Sequence, residues 1–254
     1  MVTLSQLQST FDTGQLLEYQ CLENLNLYDS PNLKSLATQA IAGRQLRLCP
    51  LPPEQAGKIQ GQAIRVCLCE DEYPGWLPLE DIDLIEVAEA AYEPVLTLSA
   101  SEIQARIPQI IAYAQAAMAQ PNFYLWGGTV GANYDCSGLI QAAFMVNGIW
   151  LPRDAYQQEA FVQKVTLILI QPGDLIFFGT PQKATHVALY LGEMHYIHSS
   201  GKDYGRNGIG IDALSGQGSE QGDEVSQAYY QQFRGIGRVV ACYLPKKIFT
   251  EENS

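Results

Sequence analysis

Cys136 stands in the run Asn133-Tyr134-Asp135-Cys136-Ser137-Gly138-Leu139-Ile140-Gln141-Ala142-Ala143-Phe144, which opens small and polar and closes apolar. Leu139, Ile140, Ala143 and Phe144 recur at helical spacing, so an amphipathic helix is expected, with Asp135 as its N-cap and Asn147-Gly148 as its stop. Cys136 then falls in the first turn. Unpaired amide N–H groups and the positive end of the helix dipole favour an anion there. The thiol is therefore expected below its free pKa of roughly 8.5, as a nucleophile. The alternative for such a cysteine is a small buried hydrophobe.

A thiolate nucleophile needs a base within hydrogen-bond reach, and that base needs a third group to fix its tautomer. The chain holds 3 histidines, His186, His195 and His198. His186 opens a strand-like stretch with period-2 alternation, His186-Val187-Ala188-Leu189-Tyr190-Leu191-Gly192. A turn at Gly192-Glu193 returns the chain as Met194 to His198. On that second strand Met194, Tyr196 and His198 share one face, and His195 points to the other, toward the surface. A hairpin of the two strands could set His186 beside His198, facing the helix start. One Cys and two His could instead bind zinc, but no fourth ligand pair and no His-x-x-x-His spacing accompanies them. Neither a metal nor another cofactor is expected.

The elements that position these residues suggest an α+β layout, one helix packed on an antiparallel meander. Ser101-Glu102-Ile103-Gln104 resembles a capping box, but Pro108 belongs in a first turn, so the preceding helix is expected from about Arg106 to Ala119. Tyr124-Leu125-Trp126-Gly127-Gly128 forms an aromatic-to-glycine loop before the Cys136 helix. Gln171-Pro172-Gly173-Asp174 turns into the strand Leu175 to Phe178. Residues 199–228, rich in Gly, Ser and Gln, are expected as a long surface loop, Arg238 to Leu244 as a last strand, and Phe249 to Ser254 as a tail.

Ahead of this region, residues 1–17 are expected as a mobile polar leader. Residues 18–87 show short strands broken by turns, including a Pro-rich loop at Pro50 to Pro53, the pattern of a small β-barrel. Residues 70–93 carry acids and no base, the usual mark of a solvated face. A connector over 88–100 then joins the barrel to a second domain over 101–246.

Composition bounds the rest. A chain of 254 residues, 47% hydrophobic and 17% charged, can bury proper cores. A net charge of −12 with 15 Lys and Arg disfavours nucleic acid and anionic membrane surfaces as partners. The 6 cysteines match no zinc signature, and Cys67 and Cys69 are expected as core residues. The N-terminus lacks a basic n-region and an apolar h-region, and no stretch is long enough to span a bilayer. The expectation is a soluble, cytoplasmic protein with reduced thiols.

Asp135-Cys136-Ser137-Gly138-Leu139, Pro172-Gly173-Asp174-Leu175, His186 to Gly192, Ile197-His198, Tyr124 to Gly128 and Leu151-Pro152-Arg153 together resemble the NlpC/P60 cysteine peptidases, over residues from about 101 to 245. The resemblance implies a papain-like α+β fold and cleavage of cell-wall peptides. It puts the nucleophile on Cys136, the general base on His186 and the orienting residue on His198. It also sets Tyr124 beside the thiol, where its hydroxyl would join the Cys136 N–H as an oxyanion donor. Leu25-Asn26-Leu27-Tyr28-Asp29-Ser30-Pro31 and Gly75-Trp76-Leu77-Pro78-Leu79-Glu80-Asp81 resemble the bacterial SH3-like (SH3b) domain.

The combination is similar to γ-D-glutamyl-L-diamino acid endopeptidases, which cut murein peptides. Many relatives are exported and carry wall-binding repeats, and this chain shows neither feature. That favours small muropeptides with a free N-terminal L-Ala, cut before diaminopimelate in cell-wall recycling. Asp135, Ser137, Trp126 and Arg153 are the expected substrate-binding residues, with Tyr73 or Glu80 reaching in from the small domain. The alternatives are an amidase or acyltransferase on a similar fold, and an inert protein that binds peptidoglycan peptides.

Overall fold

The computed structural model describes residues 2–13, 17–49, 62–94, 97–214 and 224–245. The chain forms two compact units, a first of Met1–Val95 together with Leu244–Ser254 and a second of Leu96–Tyr243. The Pro50 to Pro53 loop and the Phe249 to Ser254 tail lie outside the described residues.

The first unit opens with α1 (Leu4–Thr13), followed by β1 (Glu18–Cys21), β2 (Leu25–Tyr28), β3 (Leu36–Ala40), β4 (Gln45–Leu48), β5 (Ala63–Leu68), β6 (Pro74–Pro78) and β7 (Ile85–Val87). They pair antiparallel in one sheet of order β3-β2-β6-β5-β4-β1-β7. Alternate residues point inward, as the strand repeat requires: Leu25 and Leu27, then Leu46, then Val66 and Leu68, meet Tyr19, Leu77 and Ile85 in one core.

Two expectations fail here. Over residues 2–13 the leader is ordered: Val2 and Leu7 bury into that core, and the Thr10 hydroxyl meets that of Tyr19 at 3.2 Å. Leu4, Leu7 and Phe11 stand at helical spacing within this mostly polar stretch, and packing holds such short helices more than propensity does. Nor is the acidic run wholly solvated. Glu70 and Asp71 are buried against Arg44, at 3.0 Å each, and Glu70 Oε1 also accepts the Gln45 N–H at 2.8 Å.

The second unit contains α2 (Ala100–Met118), α3 (Cys136–Met145), α4 (Ala155–Phe161), β8 (Gln163–Val165), β9 (Leu175–Gly179), β10 (Ala184–Gly192), β11 (His195–Ser200), β12 (Gly208–Ala213), α5 (Glu224–Tyr230) and β13 (Phe233–Arg238). Its sheet has the order β12-β11-β10-β9-β13-β8, with antiparallel pairings throughout. The α+β class and the helix-on-meander layout are as expected. Helix α3 packs against α2, α4, β10 and β11. It is not amphipathic: every residue from Cys136 to Phe144 is buried, as befits a helix enclosed on all sides.

Helix α2 starts earlier than Pro108 suggested. Ser99 is its N-cap, and Ser99 and Glu102 form a reciprocal capping box. Pro108 sits inside the helix, an arrangement that costs about 3 kcal/mol in an exposed interior. Burial of Ile103, Ile107, Ile110 and Ala114 along one stripe offsets that, at about 1.5–3 kcal/mol for each large side chain. The stretch 199–228 is not one loop, since it supplies β12 and α5. The last strand is β13, which ends at Arg238 where the expected one began.

Candidate active site

The start of α3 is built around Asp135. Its side chain caps the helix, with Oδ1 accepting the Gly138 N–H at 2.7 Å and Oδ2 accepting the Gly127 N–H at 2.9 Å. Arg153 clamps the same carboxylate through Nη1 to Oδ1 at 3.1 Å and Nη2 to Oδ2 at 2.6 Å, and donates to Ser137 Oγ at 3.0 Å. With the Ser137 hydroxyl also donating to Oδ1 at 3.3 Å, the donors outnumber the roughly four acceptor sites of a carboxylate. Glycine is required at 138: a Cβ there would lie 2.0 Å from the Gly128 carbonyl oxygen. That close approach ties the 121–135 loop to the helix. Within the loop Leu125 N–H donates to Tyr134 O and Asp135 N–H to Gly128 O.

Cys136 is the first residue of α3 and is buried. Its thiol is not lowered, contrary to expectation. Burial pushes it up to about 12, helped by the Asp135 charge and opposed by the N–H groups of Val187 and Ser137 and by Arg153. Val187 is the residue after His186, so the contact brings the sulfur to the start of β10.

His186 and His198 meet as the hairpin predicted. His186 Nε2 lies 2.7 Å from His198 Nδ1, and His198 Nε2 lies 2.6 Å from Asp212 Oδ2. Both histidines are buried, and burial, then the neighbouring His198, holds His186 well below the ordinary imidazole value. The Tyr229 ring lies against His186 with centroids 4.4 Å apart, stacks on Tyr204 at 4.8 Å, and its hydroxyl meets Ser200 Oγ at 2.7 Å. Asp212 in turn accepts from Arg206 Nε at 3.1 Å and from Arg206 Nη2.

The structure brings Tyr124 into the same neighbourhood. Burial raises its hydroxyl, and the nearby Cys136 and Asp135 charges raise it further, so the phenol keeps its proton as a donor. Ser137 and Arg153 are buried in the Asp135 network, whereas Trp126 is 69% exposed. Tyr73 and Glu80 belong to the first unit. There the Tyr73 N–H donates to Asp71 Oδ1 at 3.2 Å, and Glu80 lies in the 3-10 turn Leu79–Leu84. Among the described residues, no group of three or more His, Cys, Asp or Glu is arranged to hold a metal.

Sequence reasoning missed Asp212. It lies in Gly208-Ile209-Gly210-Ile211-Asp212-Ala213, where glycines dilute the strand signal. The period-2 pair Ile209 and Ile211 was the available clue.

Two segments of the chain match known families. Residues 121–232 match the NlpC/P60 family, and residues 27–82 match the bacterial dipeptidyl-peptidase Sh3 domain. The chain is 38% identical over 109 residues to dipeptidyl-peptidase 6 of Lysinibacillus sphaericus, covering 42% of this chain and 36% of that protein. It is 40% identical over 79 residues to a gamma-D-glutamyl-L-lysine dipeptidyl-peptidase of Bacillus cereus, covering 30% of this chain and 24% of that one. The chain thus spans well under half the length of either relative. A solved NlpC/P60 family protein from Bacillus cereus superposes with a TM-score of 0.45 at 23% identity, over 92% of this chain and 66% of that one. The segment that holds Cys136, His186, His198 and Asp212 is thus the one that matches the NlpC/P60 family, and it follows the segment that matches a bacterial SH3-type domain in the same chain.

Proposed function

We propose that the protein is a cysteine peptidase that cuts the γ-D-glutamyl–L-diamino acid bond of murein peptides, with Cys136 as nucleophile, His186 as general base and His198 as its orienting residue. The observation that carries this reading is the chain Asp212–His198–His186 running up to the strand residue whose N–H meets Cys136. Two neutral partners suit general-base activation: His186 Nδ1 takes the thiol proton as the sulfur attacks the γ-carbonyl carbon. The Cys136 N–H, which has no intrahelical acceptor, and the Tyr124 hydroxyl receive the oxyanion. Collapse breaks the C–N bond, and the His186 proton goes to the departing amine of the diamino acid. Water, deprotonated by the same His186, then cleaves the thioester and returns the thiol.

Similarity to the gamma-D-glutamyl-L-lysine dipeptidyl-peptidase of Bacillus cereus supports release of a dipeptide, which requires a free amino end on the substrate. Asp135 could meet that amine only by exchanging one of its internal donors.

The test uses L-Ala-γ-D-Glu-diaminopimelate, its lysine analogue and their N-acetylated forms. Release of L-Ala-D-Glu is expected from the free peptides, with a loss of roughly 100-fold or more in kcat/KM on acetylation and no turnover by Cys136→Ala. Binding without cleavage by the wild type would instead favour an inert binding protein. Transfer or hydrolysis at another bond would favour an acyltransferase or amidase.

A further inference from the structure

We propose that Asp212 and Arg206 are positioning residues that set the tautomer of His198 and, through it, of His186. The inference rests on the reading of Cys136 and His186 as a nucleophile and its base. The argument follows the protons. Asp212 is buried, and burial alone would raise its carboxyl; hydrogen bonds and charge from His198 and Arg206 outweigh that and hold it below its ordinary value. An ionised carboxylate only accepts, so His198 Nε2 must carry a hydrogen toward Oδ2, 2.6 Å away. A neutral His198 then has its lone pair on Nδ1 and accepts the His186 Nε2–H across 2.7 Å. His186 is left with a lone pair on Nδ1, the form that can take a thiol proton.

Protonation of His198 reverses the chain. Nδ1–H would donate to His186 Nε2, the His186 hydrogen would move to Nδ1, and no base would remain for the sulfur. A lone carboxylate against His198 favours that unproductive cation, and an opposite charge in direct contact commonly shifts a pKa by about 1–3 units. Arg206 limits this pull. It lies against both Asp212 oxygens, so the carboxylate orients His198 while its charge is shared. The groups around His198 are Asp212 on β12 with Arg206 behind it, His186 on β10, Tyr229 on α5 at 4.9 Å between centroids, and Tyr196 on its own strand at 5.1 Å. Arg206 and Asp212 are the charged members of this set; the tyrosines are ring neighbours.

The two residues therefore act on the pH profile with opposite sign. Removing the Arg206 charge leaves Asp212 to stabilise the His198 cation, so the productive form needs a higher pH. Removing the Asp212 charge makes that cation less favourable, so the limb falls to lower pH, while the weaker orienting bond slows the reaction throughout. The experiment follows alkylation of Cys136 by iodoacetamide, mapped by peptide mass, from about pH 4 to 9, in the full chain. The proteins compared are wild type, Arg206→Gln, Arg206→Lys and Asp212→Asn, with His186→Ala to identify the base-dependent part of the rate.

Expected are an acid limb moved up by about one pH unit in Arg206→Gln, moved down in Asp212→Asn, and largely restored in Arg206→Lys. Arg206 is the more exposed partner, with a side chain 25% accessible, so its variants test the relay even if Asp212→Asn folds poorly. A limb unchanged in Arg206→Gln, or moved the same way in both charge-removing variants, overturns the proposal. Because the readout is the thiol and not peptide hydrolysis, opposite shifts support the relay even if the murein-peptide substrate is wrong.

Discussion

Burial decides the charge state of Cys136. A helix N-terminus favours an anion by about 0.3–1 kcal/mol, less than one pKa unit, whereas full burial can move a group by several units in the other direction. Burial thus works against a resting thiolate, and the proposed reaction relies on His186 to take the thiol proton. His186→Ala should lower kcat by roughly 100- to 10,000-fold, with KM little changed, measured on the free tripeptide. An activity close to wild type would remove His186 as the base. In the proposed mechanism Tyr124 contributes only as charge develops on the carbonyl oxygen, so Tyr124→Phe should cut kcat by roughly 10- to 1000-fold with a smaller effect on KM. An unchanged kcat would exclude it from the oxyanion site. That His186 and His198 would meet was legible, because the chain holds 3 histidines and two of them alternate onto facing positions of adjacent strands. The thiol's ionisation was not legible, since local sequence does not report desolvation.

At the scale of elements, the junction between α3 and the 121–135 loop carries the site. Gly138 admits the Gly128 carbonyl into the first turn, and Asp135 closes the turn from the other side. Adding one methyl at 138 sets it 2.0 Å from that oxygen, so backbone must move. Gly138→Ala should cost about 1–3 kcal/mol by overpacking, lowering the thermal midpoint, and should lower kcat more than any surface Gly→Ala change. A variant with wild-type stability and kcat would show that the close approach is dispensable. The helix start was readable from Asp135 and the apolar spacing that follows it. Other boundaries were not: Pro108 hid the first turns of α2, and the glycines of Gly208 to Ala213 hid the strand that bears Asp212. In each case tertiary packing overrode the local preference of one or two residues.

At the scale of the whole molecule, the two units have separate apolar cores that share no residue. The acid-rich composition gave no sign that part of its charge is structural. Glu70 and Asp71 lie just beyond β5 and pair with Arg44, and the separation of 26 residues between Arg44 and Glu70 conceals the pairing in sequence. Removing the cation leaves two carboxylates in a site from which water is largely excluded, and breaking a buried pair this way typically costs about 3–5 kcal/mol. For a unit of this size that corresponds to a fall of well over about 10 °C in the local transition. Arg44→Met should therefore strip hydrogen-exchange protection from the amides of β1, β4 and β5 while those of α3, β9 and β10 keep theirs, as read by peptide-resolved mass spectrometry. Alkylation of Cys136 should retain its pH profile in the same variant. Undiminished protection in the first unit would mean that Glu70 and Asp71 find solvent or other donors without Arg44. A uniform loss across both units would show that the two cores unfold as one.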